Sequence, residues 1–255
     1  MINLNTESNS SLLQQVQQKQ ESIFEKLASG KKVNSAADGA AAQQIIDRLT
    51  TQVEGNRQSV ANAYDGVSLT QVAEGGLSGI NDDVSRIREL SVQAGNGILS
   101  DSDRQAIQAE VTQLQENISQ TIEQTEFGGQ SLLTNNDSIE FQVGANAGQK
   151  IGVATQDVAA SLTDVLNVDL STAQGAEEAL AVADEAAEFV GAARADLGAT
   201  QNQFESAARN LTQSNVNIAA ARSRIQDTDY AQATADSAAA NILGQASTSV
   251  QVQAN

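Results

Sequence analysis

The chain contains no cysteine, no histidine, no proline and no tryptophan. Without cysteine and histidine there can be no disulfide, no Ser-His-Asp triad, and no thiolate or imidazole ligand for a metal. These absences remove most enzyme chemistry, so we expect a protein that is not an enzyme and that needs no cofactor. The lack of proline also means that no long helix is forced to break.

Aromatic residues are equally scarce, at 3% of the 255 residues. A chain with so few bulky side chains buries little apolar surface per residue, which favours thin helix-on-helix packing over a thick globular core. The predicted class is therefore mainly α: an elongated coiled-coil rod.

Positive charge is the next shortage, because the formal net charge is −18. Nucleic acids and anionic membranes are both bound through clustered Lys and Arg, so neither is an expected partner. No apolar run approaches the roughly 18 residues of a membrane span, which argues against membrane insertion. The N-terminal residues lack the basic and apolar regions of a secretory signal, so export would have to use another route.

What the chain does have is helical periodicity. From residue 190 onward an apolar residue occupies every seventh position, which predicts a long helix whose stripe packs on a partner helix. The residues of this stripe are Val190, Leu197, Phe204, Leu211, Ile218 and Ile225.

Three further helices are predicted, over residues 5–28, 40–95 and 103–125. The first has a heptad seam formed by Leu13, Val16, Gln20, Ile23 and Leu27. We interpret Gln20 as a polar seam residue that sets the register of this helix against its partner helix, rather than as part of a low-complexity stretch. The second helix would be roughly 80 Å long at about 1.5 Å per residue. We expect a bend or an overwound turn at Gly75–Gly76, where its apolar spacing slips.

One segment changes to a period of two. Ile139, Phe141 and Val143 alternate with polar residues, and a glycine-containing turn separates them from Ile151 and Val153. This pattern predicts a β-hairpin. Residues 155–172 are predicted to be a loop with at most a helical turn. The last helix, which includes Ile242, is rich in alanine, so we expect both terminal helices to be marginal alone and to gain stability by packing on neighbours.

Seven segments resemble bacterial flagellins, the subunits of the flagellar filament. They occur in the family's order and cover most of the chain: residues 25–36, 62–69, 86–94, 124–129, 141–146, 197–204 and 221–231. Only residues 154–173 separate the hairpin from the last long helix, where flagellins usually carry large variable outer domains. The chain therefore resembles a minimal flagellin.

The resemblance implies a domain organisation and a function. Residues 1–39 and 226–255 would pair as the inner filament domain, and residues 40–173 and 174–225 would form the core rod. The chain would polymerise into a hollow helical filament for motility. The alternative is a hook–filament junction protein with similar ends, and a coiled-coil adaptor remains open on pattern alone.

The resemblance also implies partners and a location. The partners would be other copies, an export chaperone, hook-associated and cap proteins, and a vertebrate Toll-like receptor. The protein would be extracellular, exported by the flagellar type III route without a cleaved signal peptide. The implied contact residues for neighbouring subunits and for the receptor are Arg86, Leu90 and Glu110, with Arg88 and Gln93 beside them. The plain alternative is an exposed helix face with ordinary ion pairs.

Two residue groups carry further expectations. The assembly residues of the terminal helices are Leu13, Val16, Ile23, Leu27 and Ile242. Near the start of the last helix, Asp227 and Asp229 lie close to Arg222 and Arg224 in the sequence. We expect a salt-bridged hinge there rather than a metal site, because neighbouring arginines would neutralise the two carboxylates.

Overall fold

The computed structural model describes residues 3–254, and within that range all side chains except those of residues 3–10, 12, 13, 251 and 254. The described chain is mainly α. Its helices are α1 (Asn3–Ser29), α2 (Ala36–Ala94), α3 (Asp101–Gln124), α4 (Val158–Ser161), α5 (Thr163–Leu166), α6 (Ala173–Gln226) and α7 (Tyr230–Ala254). Its strands are β1 (Glu126–Phe127), β2 (Gln130–Ser131), β3 (Ser138–Gln142) and β4 (Lys150–Ala154). The predicted class, with a hairpin and paired terminal helices, is confirmed.

The long helix α2 differs from the prediction at its glycines. Its one residue with non-helical dihedral angles is Gly39, which forms a kink between a short first segment and the rest of the helix. The dihedral angles remain helical through Gly75 and Gly76. A Cβ atom at Gly76 would lie 2.5 Å from Thr125 Oγ1. The glycine at the slip in spacing therefore allows close packing against Thr125, the residue that follows α3, and the helix is not broken at that point.

The chain divides into two compact units. Unit 1 comprises residues 1–54 and 213–255, and unit 2 comprises residues 55–212. Unit 1 contains the paired helices α1 and α7, and unit 2 contains α3 to α5 and all four strands.

Unit 2 has a continuous apolar core made by one face of each long helix. Phe204 of α6 is fully buried and meets Phe141 of β3 edge to face, with ring centroids 5.4 Å apart. The ring also lies against α2 at Gly66, where an added Cβ would be 2.5 Å from Phe204 Cζ. The core thus combines a few large side chains with glycine and alanine positions that let helices approach closely.

The predicted hairpin is present as β3 and β4, paired antiparallel with Phe141 opposite Ile151. The sequence did not reveal β1 and β2, a two-residue pair joined by Gly128 and Gly129, which both have positive φ. The segment predicted as a loop contains the one-turn helices α4 and α5. Gln115 of α3 holds this segment by donating to the Val165 carbonyl at 3.1 Å.

The turn between α2 and α3 is closed by hydrogen bonds at both helix ends. Ser100 and Asp103 form a capping box, in which each side chain accepts from the backbone N–H of the other residue. The side chain of Arg104 is buried and donates to the carbonyl of Ala94, an orphan acceptor at the end of α2, and to the carbonyl of Leu99 in the turn. No local sequence pattern indicates this role of Arg104.

Candidate assembly surfaces

The terminal helices α1 and α7 form an antiparallel pair within unit 1. Gln20 Nε2 donates to Asn241 Oδ1 at 3.0 Å, and Tyr230 Oη donates to the Leu27 carbonyl at 3.1 Å. Residues later in α1 therefore contact residues earlier in α7, as expected for antiparallel helices. Gln20 lies at an inter-helix contact, as the interpretation of its seam position required.

The five predicted assembly residues of these helices do not share one environment. Ile23 is buried at 8% exposure, Val16 and Leu27 are half-buried, and Ile242 is 67% exposed. The side chain of Leu13 lies outside the described residues. Ile23 thus serves the α1–α7 contact itself, whereas Ile242 faces away from it and is free to meet another molecule.

Ile242 belongs to a larger set of exposed apolar side chains on the terminal helices. The other members are Phe24, Leu243, Val250 and Val252, each more than half exposed. Large apolar groups exposed to water are energetically unfavourable, which makes these residues candidates for contact with other molecules. We call these five residues the terminal apolar set.

The link between α6 and α7 is held by backbone contacts rather than by ion pairs. Thr228 N–H donates to the Gly30 carbonyl at 2.9 Å, and Lys32 N–H donates to the Gln226 carbonyl at 2.6 Å. Gly30 ends α1 with φ of 70°, a conformation that suits glycine.

The expected salt-bridged hinge is wrong. Asp227 accepts a hydrogen bond from Ser223 Oγ, and Asp229 Oδ1 accepts from Ala231 N–H at 3.0 Å at the start of α7. Arg222 donates to Thr50 Oγ1 at 3.4 Å. Within residues 3–254, no ion pair joins these carboxylates to the neighbouring arginines. Each carboxylate accepts a hydrogen bond from a donor within four residues of it in the sequence. A contact with an arginine would instead require a long, flexible side chain to be held in place, at a cost in conformational entropy.

A second candidate surface lies on unit 2, where Arg86 of α2 meets α3. Its guanidinium donates to Glu110 Oε1 through Nη2 at 2.7 Å and through Nε at 2.9 Å, and Nη1 pairs with Glu89 at 3.0 Å. The hydrogen bonds to Glu110, followed by those to Glu89, raise the pKa of Arg86 above its ordinary value. Arg86 and Glu110 are about half exposed, so the cluster presents fixed charges at the surface.

The neighbouring predicted contact residues separate into two groups. Arg88 pairs with Asp184 of α6, which raises the pKa of Arg88, and Gln93 is exposed. Leu90, by contrast, is only 2% exposed and belongs to the core of unit 2. Leu90 cannot touch another molecule directly while unit 2 is folded, so its expected role at the interface is corrected to core packing.

The seven-residue stripe shows a gradient of burial along α6. Val190 and Phe204 are fully buried, Leu197 is 8% exposed, and these three lie in the core of unit 2. Leu211 is half-buried, as are Ile218 and Ile225 in unit 1. The N-terminal half of the stripe is therefore buried within the chain, whereas each side chain of its C-terminal half stays partly exposed.

The described residues form neither a metal-binding cluster nor a helix that could cross a membrane. No group of three or more Asp, Glu, His or Cys side chains in this part of the chain is arranged to hold a metal ion. None of the described helices combines the length and apolarity that a bilayer crossing requires.

Comparison with known proteins identifies related sequences over most of the chain. The family model for the bacterial flagellin N-terminal helical region matches residues 2–138, and that for the C-terminal helical region matches residues 180–255. A flagellin from Halalkalibacterium halodurans is 37% identical over 235 residues, which cover 91% of this chain and 86% of the relative.

Solved structures give a consistent result. The crystal structure of a Bacillus cereus flagellin matches with a TM-score of 0.56 and 28% identity, covering 64% of this chain and 94% of that one. A putative flagellar hook-associated protein from Vibrio parahaemolyticus matches with a TM-score of 0.63 but 13% identity, covering 74% of this chain and all of that one. The second likeness shows a shared fold alone.

Proposed function

Because this chain belongs to the bacterial flagellin family and is a structural subunit of the flagellar filament, we propose that the terminal apolar set provides the main contacts between copies. The hook–filament junction alternative is less well supported, since its structural representative shares only the fold. The filament is extracellular, and the family's structural role agrees with a protein that is not an enzyme.

The observation that carries this proposal is the exposure of Ile242 and Leu243 on α7, at 67% and 54%. Contacts between different patches of identical copies generate an open helix when the rotation does not close. Burying these side chains in such contacts removes apolar area from water, worth about 25 cal/mol per Å². The α1–α7 pair then becomes fully packed only in the filament.

The experiment compares polymerisation of the full chain with that of two α7 variants. Ile242→Asp is expected to remain folded by circular dichroism but to yield no filaments by electron microscopy, because a carboxylate replaces an apolar contact. Gln245→Asp, which adds the same charge at an exposed polar position of α7, is the matched control and should still assemble. Filaments of Ile242→Asp at the wild-type critical concentration would contradict the proposal.

The N-terminal helix offers a second test of the same mechanism. Deletion of residues 1–30 removes α1 and leaves α7 without its partner, so the product should be a soluble monomer that retains the helices of unit 2. Filaments formed by this deletion variant would show that the terminal pair is dispensable for assembly.

We also propose that Arg86 and Glu110 belong to a contact surface of unit 2 used by neighbouring subunits and by a Toll-like receptor. The support is geometric: the guanidinium is fixed by two carboxylates yet about half exposed, and a held arginine loses little entropy on binding. Arg86→Ala is expected to lower activation of receptor-bearing reporter cells. Arg209→Ala, which removes an exposed arginine of α6, is the control. Equal dose responses for Arg86→Ala and wild type would rule out the receptor contact.

Export through the flagellar type III route, with a dedicated chaperone, is proposed on physical grounds. A chain with no cysteine can form no disulfide that would block threading in an unfolded state. The terminal apolar set is exposed before assembly and is the natural ligand for a chaperone, and later for hook-associated and cap proteins. Secretion from cells with and without the flagellar export gate tests the route, and undiminished secretion without the gate would refute it.

A further inference from the structure

The turn between α2 and α3 contains the chain's one Asn-Gly dipeptide, Asn96–Gly97. Both residues are exposed, and a Cβ atom built on Gly97 would meet nothing within 4 Å. Asparagine followed by glycine is the sequence in which the following backbone nitrogen can most easily reach the side-chain carbonyl, because glycine has no side chain to obstruct the approach.

The local hydrogen bonds favour that approach. Asn96 Oδ1 accepts from Ile98 N–H at 3.3 Å, which folds the carboxamide over the peptide group that follows it. Across residues 3–254, no group accepts a hydrogen bond from Gly97 N–H. Asn34 provides a contrast, because the backbone N–H that follows it, that of Ser35, is occupied by a hydrogen bond to Asp38 Oδ2 at 2.9 Å.

A buried cation acts on the same peptide group. Arg104 Nη1 donates to the Asn96 backbone carbonyl at 3.3 Å, and Arg104 is 7% exposed. When Gly97 N–H loses its proton, the negative charge is shared with that carbonyl oxygen, so a nearby guanidinium stabilises the anion. The acid next to Arg104 in sequence, Asp103, is engaged by Ser100. In the described part of the chain no carboxylate forms an ion pair with Arg104.

We propose that Asn96 is a site of intramolecular deamidation and that Arg104 activates it. The deprotonated Gly97 nitrogen attacks Asn96 Cγ, the bond from Cγ to Nδ2 breaks, and Nδ2 leaves as ammonia to give a cyclic succinimide. Water then opens either carbonyl of the ring, which gives aspartate or isoaspartate at position 96. The chain loses one ammonia and gains one water, with no change in oxidation state.

The structure also indicates which product is favoured. In isoaspartate the main chain runs through the former side-chain carbon, and the former backbone carbonyl of residue 96 becomes a free carboxylate. That group is the one that Arg104 already contacts. Arg104 would then form a charge-assisted hydrogen bond with a carboxylate instead of a carbonyl, so the isoaspartyl product should dominate. This inference concerns the turn alone and is independent of filament assembly.

The test incubates the purified full chain at mildly alkaline pH and follows each asparagine by peptide mapping and mass spectrometry. Enzymatic methylation of isoaspartate distinguishes the two products. Asn96 is expected to convert at least several-fold faster than Asn146, an exposed asparagine in the hairpin turn that precedes alanine. Gly97→Ala should suppress conversion at position 96. An amide that stays intact at Asn96 in the folded chain, while the urea-unfolded chain converts, would overturn the site.

The role of Arg104 is tested separately. Arg104→Gln should slow the conversion several-fold, and Arg104→Lys, which keeps the positive charge, should restore part of the rate. Because these variants remove a buried side chain, circular dichroism must first show that they fold. A second measurement avoids them altogether: the wild-type rate at Asn96 should be higher in the folded chain than in urea. Equal or slower conversion in the folded chain would refute activation by Arg104.

Discussion

Gln20 Nε2 donates a hydrogen bond to Asn241 Oδ1 at 3.0 Å and joins the two terminal helices at a fixed register. Among the described side chains of these two helices, the buried apolar ones are Ile23 and Ala240. Contacts of that kind tolerate sliding along the helix axis, whereas a directional hydrogen bond between two side chains does not. This pair, together with the hydrogen bond from Tyr230 to the Leu27 carbonyl, therefore specifies the alignment of the two helices.

Replacing Gln20 with alanine should weaken the α1–α7 pair by about 0.5–1.5 kcal/mol, the usual net contribution of one hydrogen bond. The predicted readout is a higher critical concentration for polymerisation, measured by sedimentation. Gln18→Ala is the matched control, since Gln18 is an exposed glutamine of the same helix. If both variants polymerise like the wild type, register is set by other contacts.

A glycine in contact with a core ring gives the second prediction. A Cβ atom at Gly66 would lie 2.5 Å from Phe204 Cζ, and the ring is fully enclosed and cannot move aside freely. Gly66→Ala should therefore destabilise the folded monomer by about 1–3 kcal/mol through overpacking. Urea unfolding followed by circular dichroism measures the loss.

The control for that variant lies on the same helix. Gly79 is exposed, and an added Cβ there meets nothing within 4 Å. Gly79→Ala should raise stability by about 0.5–1 kcal/mol, because alanine is the better helix former. Opposite signs for the two substitutions would establish that steric contact, and not helix propensity, requires glycine at position 66.

The sequence predicts features that depend on local spacing, but not those that depend on contacts between residues far apart in the chain. The helices and the hairpin were predictable because apolar spacing is local, as in Ile80, Val84 and Ile87 of α2. The contact of Gly76 with Thr125 was not, since it joins residues far apart in the chain, and a glycine pair alone does not indicate what packs against it. Arg104 was missed for the same reason, because its acceptors are defined only when the turn has folded.

For the candidate surfaces too, the sequence could predict the role of some residues and not of others. Leu90 could have been assigned to the core from its position three residues after Ile87 on the apolar stripe. The capping role of Asp229 was also readable, as an acidic residue directly before a helix is a common N-cap. In contrast, the pairing of Arg86 with Glu110 depends on the packing of α2 against α3, and sequence spacing does not define it.

The capping carboxylates predict how stability depends on pH. Hydrogen bonds from the Ser100 side chain and backbone lower the pKa of Asp103, and those from the Ser35 and Asn34 backbones lower the pKa of Asp38, from an ordinary value of 3.8. The folded state then binds these protons less tightly than the unfolded state. The stabilisation is therefore present above about the ordinary value and is lost as pH falls through the folded pKa values.

The measurement is the urea midpoint across a series of acidic pH values. Ser100→Ala should cost about 0.5–2 kcal/mol at neutral pH through loss of the cap. It should also weaken the acid dependence, because Asp103 loses the hydrogen bond from the Ser100 side chain, the largest cause of its lowered pKa, and keeps the one from the backbone N–H. Asp83 provides a contrast, since burial raises its pKa and Asp83→Asn should stabilise the monomer at neutral pH. An acid dependence that Ser100→Ala leaves unchanged would show that other carboxylates control it.

The last prediction uses the burial gradient along α6 to separate folding from assembly. Val190 is fully enclosed in unit 2, so Val190→Asp buries an unpaired charge and should destabilise the monomer by about 4 kcal/mol or more. Ile218 keeps part of its side chain in contact with water in the single chain, so a carboxylate there stays partly hydrated. Ile218→Asp should cost the monomer less, about 1–2 kcal/mol by its partial burial. If the uncovered half of Ile218 packs on another copy, the same variant should fold and yet fail to polymerise, as read from the urea midpoint and from sedimentation. Equal losses of monomer stability for both variants would mean that the seam is complete within one chain, and that assembly depends on the terminal helices alone.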